Sequence, residues 1–223
     1  RWHSVTGVQT CALPIFYCWG PRDLDADIGA VTHAGDRDTR VNALQDLPTD
    51  PPSPPLGLDG RTLVDTVFRA ALTRWFGVLF WFLLLGASGA LIYRFVQLVA
   101  QSESFRSALP RAHADALREL HVLLDWPAAQ LMTLSMALAA DFDAVAQSWR
   151  DFHHGIGQGY LVRDIGFLFA AARASVDAED EDFDDEAANT TLLPLHQSQS
   201  LIWRILVVWM AVLALFVLAG WIG

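Results

Sequence analysis

The stretch that decides the fold is WFGVLFWFLLLGASGALIYR, residues Trp75–Arg94. Its first 19 residues, up to Tyr93, carry no charged side chain, and Arg74 and Arg94 stand immediately outside them. A helix of that length is about 28 Å long, close to the thickness of the hydrocarbon core of a bilayer. Because lipid offers no partners to backbone N–H and C=O groups, such a segment has to be helical. We therefore expect a transmembrane helix at 75–94.

A second apolar stretch, at 205–223, also contains 19 residues and follows Arg204 directly. Two buried core helices are the alternative, but uninterrupted apolar runs of this length are typical of membrane spans. The sequence therefore predicts an all-α fold: a helical integral membrane protein with two complete transmembrane helices, at 75–94 and 201–223, and a helical polar middle region. Aromatic side chains lie near the ends of both spans, as at membrane–water interfaces: Trp75, Trp81, Tyr93, Trp203 and Trp221.

Composition excludes several classes of protein before any motif is considered. The 223 residues are 53% hydrophobic, and the 15 basic residues are all arginine. Without lysine the chain cannot hold a P-loop nucleotide site or form a Schiff base. A net charge of −10 is unfavourable for binding phosphate backbones, so we expect no nucleic-acid partner. Cys11 and Cys18 are too few for a disulfide framework or a zinc site.

The first residues differ in origin from the rest. Residues 5–15, VTGVQTCALPI, match eleven consecutive codons of a widely used sequencing-library adapter translated in frame. We interpret residues 1–15 as an adapter-read artefact, because the basic and apolar regions of a signal peptide are missing. Residues 16–20 resemble the end of a transmembrane helix whose earlier part is lost. Since the chain also starts at Arg1 rather than Met, we expect an N-terminally truncated fragment.

Polar regions lie on both sides of the first predicted span. Residues 21–74 contain apolar positions at helical spacing and five prolines within 48–55, which predict a polar loop with short helices and a Pro-rich linker. Residues 95–176 are expected to be a helical extramembrane region. Eight acidic residues within 177–186 predict an acidic disordered tether at 177–200.

One segment of the middle region is apolar. Residues 126–140 carry no charge over 15 positions, too few to cross a bilayer comfortably. We expect an interfacial or re-entrant segment there, with a buried helix as the alternative. Pro127 is expected to break the preceding helix and start the next one, because proline is tolerated in a first turn but not in a helix interior.

Groups suited to chemistry are few. His153 and His154 are adjacent, so on a helix they point about 100° apart and make a poor joint metal site. Gly155, Gly157 and Gly159 follow no predicted strand and indicate a loop rather than a phosphate cradle. The aspartates at 23, 25 and 27 offer oxygen ligands but lack the rest of a calcium loop. We expect no catalytic, metal-binding or cofactor-binding residues.

Five small residues, Gly86–Ala90, interrupt the large side chains of the first span. Gly86 and Ala90 are four residues apart, so on a straight helix they share one face and allow a neighbouring helix to approach closely. The candidate neighbours are the second span, helices lost upstream and a second copy of the chain. Alternatively, these small residues only make the helix narrower at this point and contact no neighbouring helix.

The sequence resembles the AmpE family of Gram-negative inner-membrane proteins, which is distantly related to the CobD/CbiB membrane proteins of cobalamin biosynthesis. The resemblance covers about residues 16–223 and depends on the order and spacing of motifs in the first span and in a Leu-Asp-Trp-Pro turn about thirty residues later. Ala87 and Gln130 depart from the pattern, in which proline and arginine are common. The motif and helix-packing residues are Phe80, Trp81, Phe82, Gly86, Gly89, Ala90, Tyr93, Arg94, Leu124, Asp125, Trp126, Pro127 and Leu131.

The resemblance implies a multi-pass protein of the bacterial inner membrane with four transmembrane helices, of which this chain keeps the last two and the end of the second. It implies a regulatory role, not an enzymatic one, in signalling that links peptidoglycan recycling to β-lactamase induction. The implied partners are the lipid bilayer, other transmembrane helices and, functionally, an AmpD-type amidase. A CobD/CbiB-like enzyme and a non-catalytic membrane scaffold are the alternatives.

Overall fold

The computed structural model describes residues 24–45, 47, 60–102, 109–155, 164–180 and 193–218. Every regular element within these ranges is a helix, which confirms the predicted all-α fold for the described part of the chain. The helices are α1 (Leu24–His33), α2 (Arg37–Gln45), α3 (Gly60–Ala71), α4 (Gly77–Gln101), α5 (Arg111–Ala139), α6 (Phe142–Gly155), α7 (Gly166–Asp180) and α8 (Leu193–Leu218); a π-helical stretch, Leu72–Phe76, joins α3 to α4.

Three helical segments are long and apolar enough to cross a membrane: Gly60–Gln101, Arg111–Ala139 and Leu193–Leu215. The first contains the predicted span at 75–94, the third overlaps the predicted span at 201–223 over residues 201–215, and the second is an additional candidate. Contacts between residues divide the described chain into two compact units. One unit consists of residues 24–47 and 70–129, and the other of residues 60–69 and 130–218. The fold is that of a helical membrane protein.

Helix α5 continues through Pro127, where the sequence predicts a break. Proline cannot donate to the carbonyl of Leu123 four residues earlier, so the helix loses one hydrogen bond there. The next carbonyl, that of Leu124, accepts a hydrogen bond from the Trp81 indole at 3.1 Å, and the Asp125 side chain is also engaged. Tertiary contacts just before the proline therefore hold the helix together and extend it into the apolar segment.

The second half of α5 buries two polar side chains among apolar ones and exposes leucines. Its buried face includes Thr133 and Ser135, while Leu134 and Leu138 are 56% and 68% exposed. The Ser135 hydroxyl accepts a hydrogen bond from the indole of Trp209 on α8, at 2.9 Å. A helix in a water-soluble protein buries its leucines instead. Leucines outside and paired polar groups inside are the arrangement expected in lipid.

Helix α4 folds back on itself at Gly86, whose φ of 69° and ψ of −156° lie outside the helical region. A Cβ built on Gly77 would lie 2.3 Å from the hydroxyl oxygen of Tyr93, sixteen residues later. These two residues are about 24 Å apart in a straight helix, so the chain has to reverse between them. A Cβ on Gly89 would likewise lie 2.3 Å from the carbonyl oxygen of Trp81. Helix α4 is therefore a helical hairpin.

We call residues 77–85 the leading limb and residues 87–101 the return limb of this hairpin. Its shape differs from the straight helix predicted for 75–94, because position 86 adopts a backbone conformation that is open essentially to glycine alone. Gly89 and Ala90 are buried against the leading limb, where Ala90 packs in a cluster with Val78 and Tyr93. The close approach is therefore made by Gly89 and Ala90 to the neighbouring limb of the same chain, whereas Gly86, predicted to share the contact face with Ala90, lies exposed at the turn.

The predicted tether has different limits in the structure. Helix α7 extends to Asp180 and α8 begins at Leu193, so both ends of the region 177–200 are helical. Residues 181–192 lie outside the described residues, as do the predicted artefact at 1–15, the helix end at 16–20, the Pro-rich linker at 48–55 and the glycines at 157 and 159.

The start of α2 has a side-chain cap that sequence spacing alone does not single out. The carboxylate of Asp36 accepts hydrogen bonds from the backbone N–H of Thr39, at 3.3 Å, and from its hydroxyl. The hydroxyl hydrogen bond holds the pKa of this exposed carboxyl below its usual value. Beneath this cap, α1 and α2 bury Leu24, Ile28, Val31 and Leu44.

Replacing Gly86 with alanine is expected to destabilise the protein by about 1–3 kcal/mol, because a Cβ strains a residue at this φ and ψ. The space beside Gly86 is empty, so the effect isolates backbone conformation from packing. Thermal unfolding in detergent measures it as a lower Tm. Gly35→Ala is the matched control, since Gly35 also has open space beside it but no positive φ. Equal Tm values for the two variants would contradict the turn at Gly86.

Candidate functional site

A buried hydrogen bond joins the hairpin to α5. The hydroxyl of Tyr93, on the return limb, donates to the Oδ1 atom of Asp125 at 2.6 Å. Tyr93 is fully buried and Asp125 is 3% exposed. Ionisable groups within apolar helices are costly to bury and are retained mainly where they have a function. This pair is therefore the centre of the candidate site.

His121 completes the cluster from one turn earlier on α5. Its Nε2 atom lies 3.6 Å from Oδ2 of Asp125, beyond hydrogen-bond distance, and its ring stacks on that of Tyr93 with centroids 6.2 Å apart. Nε2 is buried and has no hydrogen-bond partner. Tyr93, Asp125 and His121 therefore form a polar cluster between the return limb and α5.

Apolar side chains surround this polar cluster. Val78, Ala90 and Tyr93 form a buried core, with Trp81, Phe82 and Leu124 packed against it. The hydrogen bond from the Trp81 indole to the Leu124 carbonyl ties the leading limb to α5, as the Tyr93–Asp125 bond ties the return limb. Both limbs are thus fixed to consecutive residues of the same helix.

The structure brings together seven of the thirteen residues singled out from the sequence. The other six have different settings: Phe80 packs edge-on against Trp81 with ring centroids 5.2 Å apart, Gly86 is exposed at the turn, Trp126 and Pro127 are half-buried, and Leu131 is 42% exposed. Arg94 donates to the Oε1 atom of Gln97 at 2.7 Å. The seven that meet are Trp81, Phe82, Gly89, Ala90, Tyr93, Leu124 and Asp125.

Sequence analysis missed His121 and the role of Arg74. The spacing of His121 and Asp125, four residues apart on a helix, was an available signal for the first. Arg74 is buried in the π-helical stretch, where it donates to Oδ2 of Asp27 at 2.7 Å and to the carbonyl of Leu47 at 2.6 Å. Its partners are 47 and 27 residues away, so no local pattern could have identified them.

Of the adjacent pair His153 and His154, considered above as a metal site, His153 packs inside the structure and His154 is exposed. The Nδ1 atom of His153 lies 2.7 Å from the carbonyl oxygen of Trp149, and its ring packs among Trp149, Phe152 and Phe167. Among the described residues no three His, Cys, Asp or Glu side chains are grouped so as to hold a metal ion.

This sequence matches no family model, no curated protein and no solved structure.

Replacing Tyr93 with phenylalanine is expected to destabilise the protein by about 1–3 kcal/mol, because Oδ1 of the buried Asp125 loses its donor. A double-mutant cycle with Asp125→Ala, followed by thermal or denaturant unfolding in detergent, isolates the pairwise contribution. Residues in direct contact give coupling energies of about 0.5–3 kcal/mol. Strictly additive effects of the two substitutions would show that the hydrogen bond contributes nothing.

Gly89→Ala is expected to destabilise the protein by about 1–3 kcal/mol through overpacking. The new Cβ would lie 2.3 Å from the Trp81 carbonyl oxygen and 2.7 Å from Cβ of Leu85, and neither can move without shifting the leading limb. Gly29→Ala serves as the control, because its Cβ would meet only Nδ1 of His33, at 3.9 Å. A Tm for Gly89→Ala as high as that of the control would be inconsistent with the close approach of the limbs.

Proposed function

We propose that the chain is a regulatory membrane protein of the AmpE type, which acts in the bacterial inner membrane in signalling between peptidoglycan recycling and β-lactamase induction. The observation that carries this proposal is the convergence of motif residues from two segments. Trp81 bonds to Leu124 and Tyr93 bonds to Asp125, although about thirty residues or more separate the partners in sequence. These contacts support the proposal because they bring both parts of the motif into one cluster.

Burial of the cluster favours a regulatory role over the CobD/CbiB-like enzymatic alternative. A general acid or base has to come within hydrogen-bond reach of its substrate. Here the carboxylate of Asp125 is almost fully buried, with Tyr93 on one oxygen and His121 near the other. Such a group is suited to setting how helices pack against one another, and a change in that packing is a means of signalling.

The link to an AmpD-type amidase belongs to the same proposal. The described residues include a polar surface on the first half of α5, where Arg111, Asp115, Arg118 and Glu119 are exposed. A cytoplasmic or periplasmic partner would have to bind polar surface of this kind, because the apolar helices are occupied by lipid.

Deleting the gene in its own host, and restoring it in wild-type and Tyr93→Phe forms, tests the proposal. We expect the deletion to change the ratio of induced to uninduced β-lactamase activity, and the wild-type gene to restore it. The Tyr93→Phe gene is expected to restore it only in part, with expression checked by immunoblot. A normal β-lactamase response together with a growth requirement for a corrinoid would instead indicate the enzymatic alternative.

A further inference from the structure

We propose that α4 is a re-entrant hairpin, which enters one leaflet of the bilayer, turns at Gly86 and returns to the side from which it came. Its partner is the acyl-chain region of that leaflet. This proposal concerns how the chain sits in the membrane and does not depend on the regulatory role proposed above.

The uncharged part of the helix before the turn fits half a bilayer. From Trp75, the first residue after Arg74, to Leu85 the helix is about 16 Å long, whereas the hydrocarbon core is about 30 Å thick. The charge-free segment before Gly86 therefore reaches about the middle of the membrane. Because Tyr93 contacts Gly77, the return limb has come back to the level of the start of the hairpin by residue 93.

The charges on both sides of the hairpin agree with this placement. Arg74 precedes the leading limb and Arg94 follows Tyr93, so the fold-back puts both residues at the open end of the hairpin. No charged residue occurs between them. The charged ends of the 75–94 segment therefore face one surface of the membrane, while the charge-free turn points into it.

The exposed surface of the hairpin is apolar and is suited to contact with acyl chains. Leu84 and Leu85 at the turn are 61% and 53% exposed, and the outward face of the return limb presents Leu91, Ile92 and Phe95. Tyr93, on the inner face of the return limb, instead has a polar partner in Asp125. Exposed apolar residues clustered at the tip of a charge-free hairpin are unfavourable in water but favourable in lipid.

The turn also pairs one of the polar groups that a break in the helix exposes. Breaking a helix frees backbone carbonyls that lipid cannot hydrate. The hydroxyl of Ser88 donates to the carbonyl of Leu85 at 2.9 Å, directly beside the break. A serine in this position is suited to a turn that lies among acyl chains.

Polar helices precede and follow the hairpin in the sequence. Labelling them therefore shows on which side of the membrane each end of the hairpin lies. Helix α3 carries Arg61, Asp65 and Arg69, and the first half of α5 carries Arg111 and Asp115 among others. Arg61 and Ala112 are exposed and lie before and after the hairpin, so they are suitable positions for single cysteines.

The test uses the full chain with Cys11 and Cys18 replaced by serine, and with cysteine introduced singly as Arg61→Cys, Ala112→Cys or Leu85→Cys. A membrane-impermeant maleimide is applied to intact cells and to inverted membrane vesicles, and labelling is repeated in detergent as a control for reactivity. A re-entrant hairpin predicts that the variants at 61 and 112 are labelled in the same preparation and protected in the other. It predicts that the variant at 85 is labelled only in detergent.

Labelling of the variants at 61 and 112 in opposite preparations would overturn the proposal, because the segment between them would then cross the membrane. Labelling at 85 without detergent would also overturn it, since the turn would then lie in water. Neither result would bear on β-lactamase induction, so failure here is distinguishable from failure of the regulatory role.

Discussion

The close approach of the two limbs of α4 is the constraint on which the first unit of the structure depends. It requires a residue at position 86 that tolerates a φ of 69°, and residues without a side chain at 77 and 89, where the opposite limb leaves no room for a Cβ. Glycine meets each requirement. Once the limbs are side by side, Trp81 and Tyr93 face the same stretch of α5, so both of its hydrogen bonds follow from one backbone reversal.

A reversal in an apolar helix has a cost that the surrounding contacts must offset. The turn interrupts backbone hydrogen bonds, each of which is expensive to leave unmade in lipid. Three contacts offset this cost: the hydrogen bond of the Ser88 hydroxyl at the turn, the burial of Tyr93, and the hydrogen bond from Tyr93 to Asp125. At the open end, the buried Arg74 is paired with Asp27. Removing one partner of such a buried ion pair typically costs about 3–5 kcal/mol, so this contact too holds the hairpin to its base.

The sequence was sufficient for the helical fold class and for the positions of the most apolar segments, because both follow from composition and the absence of charge. It was not sufficient for their shape. A straight span and a folded hairpin of the same residues have identical hydropathy, and only a small-residue run such as Gly86–Ala90 separates them. The predicted helix break at Pro127 is wrong for a related reason. The hydrogen bond that proline removes is a local effect, whereas the contacts of Leu124 and Asp125 that stabilise the helix come from residues distant in sequence. The Arg74–Asp27 pair has no local pattern at all.

The motif residues form a pattern along the sequence, and the hairpin explains the spacing between them. Trp81 lies five residues before Gly86 and Tyr93 seven residues after it, so folding at that point places them on limbs that face Leu124 and Asp125. A straight helix would place Trp81 and Tyr93 about 18 Å apart along its axis, too far for both to reach consecutive residues of one neighbouring helix. The spacing of the motif is therefore a consequence of the turn, and the glycine at 86 is as much a part of the site as the side chains that meet there.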